Sequence, residues 1–560
     1  MKSLLKFLLS LSLPISVFQA QAQEVKIEVN TGDKIEEMKP IWAWFGYDEP
    51  NYTYMKDGRK LLTELSELSY VPVNVRAHNL LTSGDGTAAL KWGSTNAYTE
   101  DKKGRPVYNW TIVDSIFDTY IERGMKPLVE IGFMPEALSS KPDPYRHYWT
   151  PNSNYNDIYT GWTHPPKDYN KWRDLIYNWV KHSVERYGKD EVVSWYWEVW
   201  NEPNIGYWSG SFDEYCKMYD YAADGLKKAL PEAKIGGPET TDPSHKGAAD
   251  YLRRFLEHCV RGKNYATGKT GSPIDYIAFH AKGGPRVVDG RVRMNIGRQL
   301  NNIDKGFEVI AEFPELKDVP VVIGESDPEG CAACSVKFHP SNAYRNGTMY
   351  SSYTASSFAR KYDLARKHGV NFIGAVTWAF EFEDQDWFAG FRDLATNGVD
   401  KPVLNVFRMY GLMGGDIVRV NSSAPLSAEE MTENSVRTAP DVNALASVNG
   451  NSVAVMVWNY HDDDNIEVAP ADVELQVNDL AVGQVLVTHY RVDQDHSNSY
   501  TLWKEMGSPQ NPTEEQIKEL ERAGQLEMLT SPEWCKVNDG KVNLDFTLPR
   551  QGVSLVKLTW

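Results

Sequence analysis

Two apolar runs in this chain stop abruptly at a carboxylate. The first is Trp195-Tyr196-Trp197-Glu198-Val199-Trp200-Asn201-Glu202-Pro203-Asn204, and the second is Val321-Val322-Ile323-Gly324-Glu325-Ser326-Asp327-Pro328. A carboxylate at the end of a buried strand is either paired or functional, because an unpaired charge in apolar surroundings is costly. Two carboxyls about 5–5.5 Å apart can split a glycosidic bond with retention of configuration. In that chemistry Glu202 starts protonated and gives its proton to the leaving oxygen while Glu325 attacks the anomeric carbon. Glu202 then deprotonates the water that releases the sugar. Asn201 is of the right type to hydrogen-bond a sugar 2-hydroxyl, a contact that strengthens as oxocarbenium character develops. No metal or organic cofactor is called for. The plain alternative for the first run is a polar strand exit that Pro203 terminates.

The elements that must hold these residues recur along the first two-thirds of the chain. Between about residues 40 and 410, short apolar runs alternate with longer amphipathic stretches, the pattern of a parallel sheet with crossover helices. Eight runs are countable: Ile41–Gly46, Pro72–Arg76, Pro127–Ile131, Trp195–Val199, Lys234–Gly237, Tyr276–His280, Val321–Gly324 and Phe372–Trp378. Intervening segments such as Arg59–Ser69, Asp168–Tyr187, Phe212–Leu230 and Thr354–His368 carry apolar residues at helical spacing. Eight such units in this length fit a (β/α)8 barrel, an α/β fold whose strand C-termini face the active site. Arg76 and His78 close the second run, Glu202 the fourth, His280 and Lys282 the sixth, Glu325 the seventh and Trp378 the eighth, so convergence on one cavity is expected. Aromatic segments Trp42–Phe45, Tyr145–Trp149 and Trp387-Phe388 are expected to wall that cavity and favour action on a terminal sugar.

The ends of the chain read differently. Met1-Lys2-Ser3, an apolar stretch to Phe18 and Ala20-Gln21-Ala22 have the three parts of a secretory signal peptide, and no Cys follows to make a lipoprotein anchor. Residues 1–22 are therefore expected to be removed from a secreted or periplasmic protein with no membrane span. Residues 23–410 would form the barrel. Residues 411–560 lose the helical alternation and give β-type segments separated by Asn, Gly and Asp turns. They predict an accessory β-sandwich with one helical insertion, Thr513–Ala523. Losing Lys2 and Lys6 with the leader takes the formal charge from −17 to −19, which disfavours nucleic acid as a partner. Five cysteines are too few for a disulfide framework; Cys331 and Cys334 form a C-x-x-C read as a local disulfide or two structural thiols, without the second ligand pair of a zinc site.

The chain resembles glycoside hydrolase family 39, the group that includes β-xylosidases and α-L-iduronidases, within the retaining (β/α)8 clan. The likeness lies in Pro127–Pro135, Trp197–Asn204, Asp275–His280, the Glu325 strand, Lys401-Pro402-Val403 and, further on, His489–Asp493, His496–Asn498 and Gly507–Pro509. It implies Glu202 as general acid/base, Glu325 as nucleophile, and sugar contacts from His78, Asn201 and His280, with an oligosaccharide or polysaccharide as substrate. Glu130 and Glu198 are read as supporting residues below the catalytic layer. His280-Ala281-Lys282-Gly283-Gly284 and Glu325-Ser326-Asp327-Pro328 look more like the iduronidase branch. Lys282, assisted by Arg392, is a candidate to pair with the carboxylate of a uronic acid. The alternative is that Lys282 pairs with a nearby acid such as Asp327 and only shapes the pocket. A carbohydrate-binding protein on the same barrel that has lost catalysis is the runner-up, disfavoured because both carboxylates are present.

Overall fold

The computed structural model describes residues 23–144, 161–378, 380–465 and 468–560. The expected signal segment and the aromatic stretch Tyr145–Trp149 lie outside the described residues.

Eight parallel strands form a barrel: Trp44–Tyr47, Asn74–Ala77, Lys126–Ile131, Tyr196–Val199, Lys234–Thr240, Tyr276–His280, Val321–Glu325, and an eighth in two pieces, Phe372–Ala375 and Thr377–Trp378. The eighth strand closes the circle by changing neighbours across Val376. Its first piece pairs with the seventh strand, Val322 opposite Gly374, and its second with the first strand, Trp378 opposite Gly46. Glycines make this closure fit: a Cβ at Gly46 would lie 2.4 Å from the Trp378 ring, and one at Gly374 would lie 2.4 Å from Trp44.

The helices start where capping chemistry directs. Asp168 caps Tyr169–Tyr187 by accepting from the amides of Asn170 and Lys171, and Ser211 with Glu214 forms a capping box for Phe212–Ala229. The helix Thr348–His368 starts six residues before the expected Thr354, in the Ser- and Tyr-rich stretch Thr348–Tyr353. That stretch shows no amphipathic stripe because it is buried between the barrel and the second sheet. Ser356 and Arg360 reach Asp441 of that sheet at 3.1 Å, and Trp458 Nε1 donates to the same carboxylate at 2.7 Å.

The second region is one mixed sheet of ten strands. Strands from opposite parts of its order, Ala471–Asn478 and Gln484–Val492, contribute Val473, Leu475, Val485 and Val487 to a single apolar core, so the sheet folds over on itself. One boundary expectation is corrected. The segment Gln23–Glu37, assigned to the barrel from sequence, is a strand of this second sheet, antiparallel to Asp416–Ser422 and parallel to Ala471–Asn478. Its Val25, Ile27 and Val29 alternate into the second core, and sequence proximity to the barrel is no guide to that long-range pairing. The helical insertion is present as Glu514–Ala523, capped by Thr513, and a second short helix, Ser499–Glu505, precedes it.

Candidate active site

At the C-terminal mouth of the barrel, one carboxyl oxygen of Glu202, one of Glu325 and a ring nitrogen of His280 all lie within 4.8 Å of one another. Glu325 ends the seventh strand, with its backbone paired to His280 of the sixth. Glu202 follows the fourth strand in a turn that takes Trp200 and Glu202 to φ of 78° and 44°. Such left-handed backbone costs non-glycine residues free energy and persists only where the surroundings enforce it. Here the Trp200 indole donates to the Tyr207 carbonyl at 2.8 Å, and the Glu202 amide donates to the Glu239 carbonyl at 3.0 Å.

The two carboxyls stand in different electrostatic settings. Glu325 is almost fully buried, and burial alone would favour its neutral form. Cations outweigh that: His280 at 3.7 Å, Lys282 in direct hydrogen bond, His78 at 3.4 Å and Arg76 at 3.0 Å hold it ionised, well below the usual carboxylate range. Glu202 is the more accessible, its side chain 14% exposed, and accepts from His280 Nδ1 at 2.9 Å. Glu202, His280 and Glu325 are also donor types that could hold a metal ion, but Lys282 and Arg76 already neutralise Glu325, which is unfavourable for a further cation.

Below them lies a layer of buried charge centred on Arg76. Its guanidinium bonds Glu198, contacts Glu130 at 3.1 Å and Glu325 at 3.0 Å, and donates to Asn201 Oδ1 at 3.2 Å. Glu130 and Glu198 are thus the supports the sequence predicts. His78 is held between Asp48 at 2.8 Å and Glu130 at 3.1 Å; burial disfavours its charge, but the two acids raise its pKa to about 9. The Trp378 ring lies 4.5 Å from that of His78 and 5.0 Å from the Arg76 guanidinium carbon, roofing the cationic pair from the side of the eighth strand.

Several expectations change. Lys282 is bound to Glu325 and, at 2.8 Å, to Asp327, so of its two readings the pairing with a protein acid is the one observed, extended to the nucleophile candidate itself. Arg392 is not at the mouth: it is fully buried, with Glu329 at 2.7 Å, Asp327 at 3.3 Å and the Trp378 carbonyl at 2.7 Å as its partners. His280 is fully buried too, and both its ring nitrogens face protein carboxyls, Glu202 at 2.9 Å and Glu239 at 3.1 Å. Of the expected aromatic walls, the two that lie among the described residues pack elsewhere. Trp42 stacks on Tyr410 and Phe45 packs against Phe407 behind the barrel, while Phe388 lies 4.9 Å from Trp503 of the second region. Cys331 and Cys334 form a disulfide in the loop that carries Glu329.

Three acids in this network, Asp48, Glu239 and Glu329, escape the sequence reading. Asp48 and Glu239 each lie at or just beyond a strand end, the one signal that could have found them. The Gly236-Gly237-Pro238 sequence read as the end of the fifth run, whereas the strand continues to Thr240.

Fold and site together define a (β/α)8 carbohydrate hydrolase with two facing glutamates. The family model "Glycosyl hydrolases family 39" matches residues 25–542, and the chain belongs to that family. It is a glycosidase. A β-xylosidase of Geobacillus stearothermophilus is 26% identical over 516 residues, covering 90% of this chain and 88% of that one. The α-L-iduronidase of Homo sapiens is 23% identical over 546 residues, 93% of this chain and 76% of that one. Among solved structures, a bacterial orthologue of human α-L-iduronidase superposes with a TM-score of 0.74 at 20% identity, covering 96% of this chain and 84% of that one. A monomeric β-xylosidase from Caulobacter crescentus gives 0.72 at 21%, covering 95% and 99%. At these identities the structural likeness speaks for the fold.

Proposed function

We propose that this protein is a retaining, exo-acting glycosidase that releases a terminal sugar from plant-type or acidic oligo- and polysaccharides, with β-xylosidase-like or α-L-iduronidase-like specificity. Glu202 acts as general acid/base and Glu325 as nucleophile. The observation that carries this reading is the approach of their carboxyl oxygens within 4.8 Å, closer than the roughly 6.5–9.5 Å separation that leaves room for an inverting enzyme's water. The asymmetry of charge supports it. Four cations keep Glu325 an anion ready to attack, while Glu202 stays near solvent where a leaving group and then a water can reach it. Asn201, with Oδ1 held by Arg76, keeps its amide nitrogen for a sugar hydroxyl. Exo action rests on the kinship with proteins named β-xylosidase and α-L-iduronidase. Export rests on the leader-like residues 1–22.

The test is hydrolysis of aryl β-xyloside, β-galactoside, α-L-arabinopyranoside, β-glucuronide and α-L-iduronide in the presence of a chelator, with proton NMR of the first anomer formed. Retained configuration on at least one substrate is expected. An inverted product, or full activity in Glu325→Gln, would remove the proposed roles. No turnover of any sugar, with retained binding, would favour the lectin-like alternative.

A further inference from the structure

Glu239 is a buried carboxylate that the two-glutamate scheme does not use. It lies on the fifth strand with a positive φ of 56°, its side chain fully enclosed. Its place is reserved by the strand that carries Glu325. A Cβ on Gly324 would fall 1.9 Å from Glu239 Oε2, so the Gly-Glu sequence at the end of the seventh strand leaves room for this carboxyl. From that slot Glu239 makes three connections. Its carbonyl receives the Glu202 amide at 3.0 Å, its carboxyl faces that of Glu198, and an oxygen lies 3.1 Å from His280 Nε2.

His280 is therefore caught between acids on both ring nitrogens, with Nδ1 2.9 Å from Glu202 Oε1. A neutral imidazole has one N–H and one lone pair, so one of these contacts would set a lone pair against a carboxyl oxygen. An imidazolium removes that repulsion: Nδ1–H donates to Glu202, and Nε2, which makes no well-aligned hydrogen bond, carries positive charge 3.1 Å from a Glu239 oxygen. The charged groups around the ring are Glu202 from the fourth-strand loop, Glu239 from the fifth strand, Glu325 from the seventh, and, beyond Glu325, Lys282 and Arg76. Of the neighbouring acids Glu198 and Glu239, burial pushes Glu198 well above the usual carboxylate range; burial pushes Glu239 the same way, but the charges of His280 and Arg76 outweigh it and favour the anion.

We propose that Glu239 is a positioning residue that locks His280 as an imidazolium, so that Nδ1–H fixes Oε1 of Glu202 and the ring's charge stands beside Glu325. With Oε1 occupied as an acceptor, Oε2 of Glu202 is the oxygen left to carry the transferable proton, which aims the acid toward the leaving group. The inference rests on the roles given above to Glu202 and Glu325 for its kinetic consequence, and on the geometry alone for the state of His280.

Two measurements separate these. The full-length protein labelled with 15N-histidine, its His280 signals assigned by loss in His280→Gln, reports both ring nitrogens in long-range proton–nitrogen spectra at pH 7.5. An unperturbed imidazole, with a pKa of about 6.5, is mostly neutral there. Both nitrogens of His280 are expected to be protonated in the wild type and the ring neutral in Glu239→Gln, whose amide keeps the carboxyl's shape against Gly324. A neutral His280 in the wild type, which needs no variant to fold, or an imidazolium that persists in Glu239→Gln, overturns the proposal. In kinetics, the acidic limb of kcat/KM reports ionisation of Glu325, and losing an adjacent cation moves it upward by about one to three pH units. A lower rate with the limb unmoved would mean a merely structural Glu239. If the wild type turns over no glycoside, the functional reading fails while the NMR result still decides the state of His280.

Discussion

The barrel lumen has two storeys built by the same strands, and they are opposites. Near the strand N-termini the filling is Trp44, Leu128, Tyr276 and Val322, packed as an apolar cluster with Tyr196, whose ring lies 5.3 Å from Trp44 and 5.1 Å from Tyr276. A few residues further along each strand it becomes Arg76, Glu130, Glu198, Glu239, His280 and Glu325, all buried and all ionisable. The lower storey gains free energy from area removed from water and from close packing. The upper one gives some of that up to hold charges in fixed relation before a substrate arrives, the form of electrostatic preorganisation that speeds reactions in which charge develops. The lesson is that stability and chemistry are separable along a single strand, and substitutions can test how cleanly.

The largest effect is expected at the mouth. Glu325→Gln should lower kcat/KM by about 10⁴-fold or more. Glu202→Gln should lower it by about 10²–10⁴-fold. Because Glu202 is partly exposed with one close side-chain partner, its variant should melt within a few degrees of the wild type; a collapse of thermal stability there would erase the distinction between storeys. Next comes the reciprocal change below. Trp44→Ala should cost about 3–5 kcal/mol in denaturant unfolding while kcat per folded molecule stays within a few-fold of wild type. A hundredfold fall in kcat would show that the lower packing sets the geometry above.

A smaller effect is expected from alkali. His78 and His280 both have pKa values raised to about 9 by neighbouring acids, although burial pulls the other way. A raised folded-state pKa contributes stability that is complete below the unfolded value of about 6.5 and is lost as pH rises through about 9. Unfolding free energy should therefore fall between pH 6.5 and 9.5 in the wild type, by up to about 3 kcal/mol for each histidine, and less steeply in His78→Gln. An identical pH dependence in that variant would mean the upper storey does not use the charge of His78. The smallest effect concerns selectivity. With Lys282 engaged by Glu325 and Asp327, Lys282→Ala should depress neutral and acidic aryl glycosides alike, within about tenfold of each other. A selective loss on uronides beyond that would restore direct recognition of a substrate carboxylate.

Much of this was legible without coordinates. The alternation of short apolar runs with amphipathic stretches marked all eight barrel strands to within a few residues, because strand and helix periodicities are local properties of sequence. The two glutamates were conspicuous because a carboxylate ending a buried run needs a reason. Capping residues such as Asp168, Ser211 and Thr513 lie where helices begin. What only the tertiary structure decided is which groups meet. Gln23–Glu37 leaves the neighbouring barrel for a sheet built some 400 residues later, since edge pairing is a long-range choice. Arg392 and His280 turn inward, Lys282 closes on Glu325, and Glu239 enters the space left by Gly324. The strand follows backbone pairing and the apolar burial of Val25, Ile27 and Val29, whereas the side-chain choices depend on opposite charges from distant strands being shut away from water together, where Coulomb attraction and desolvation, not local propensity, select the partner.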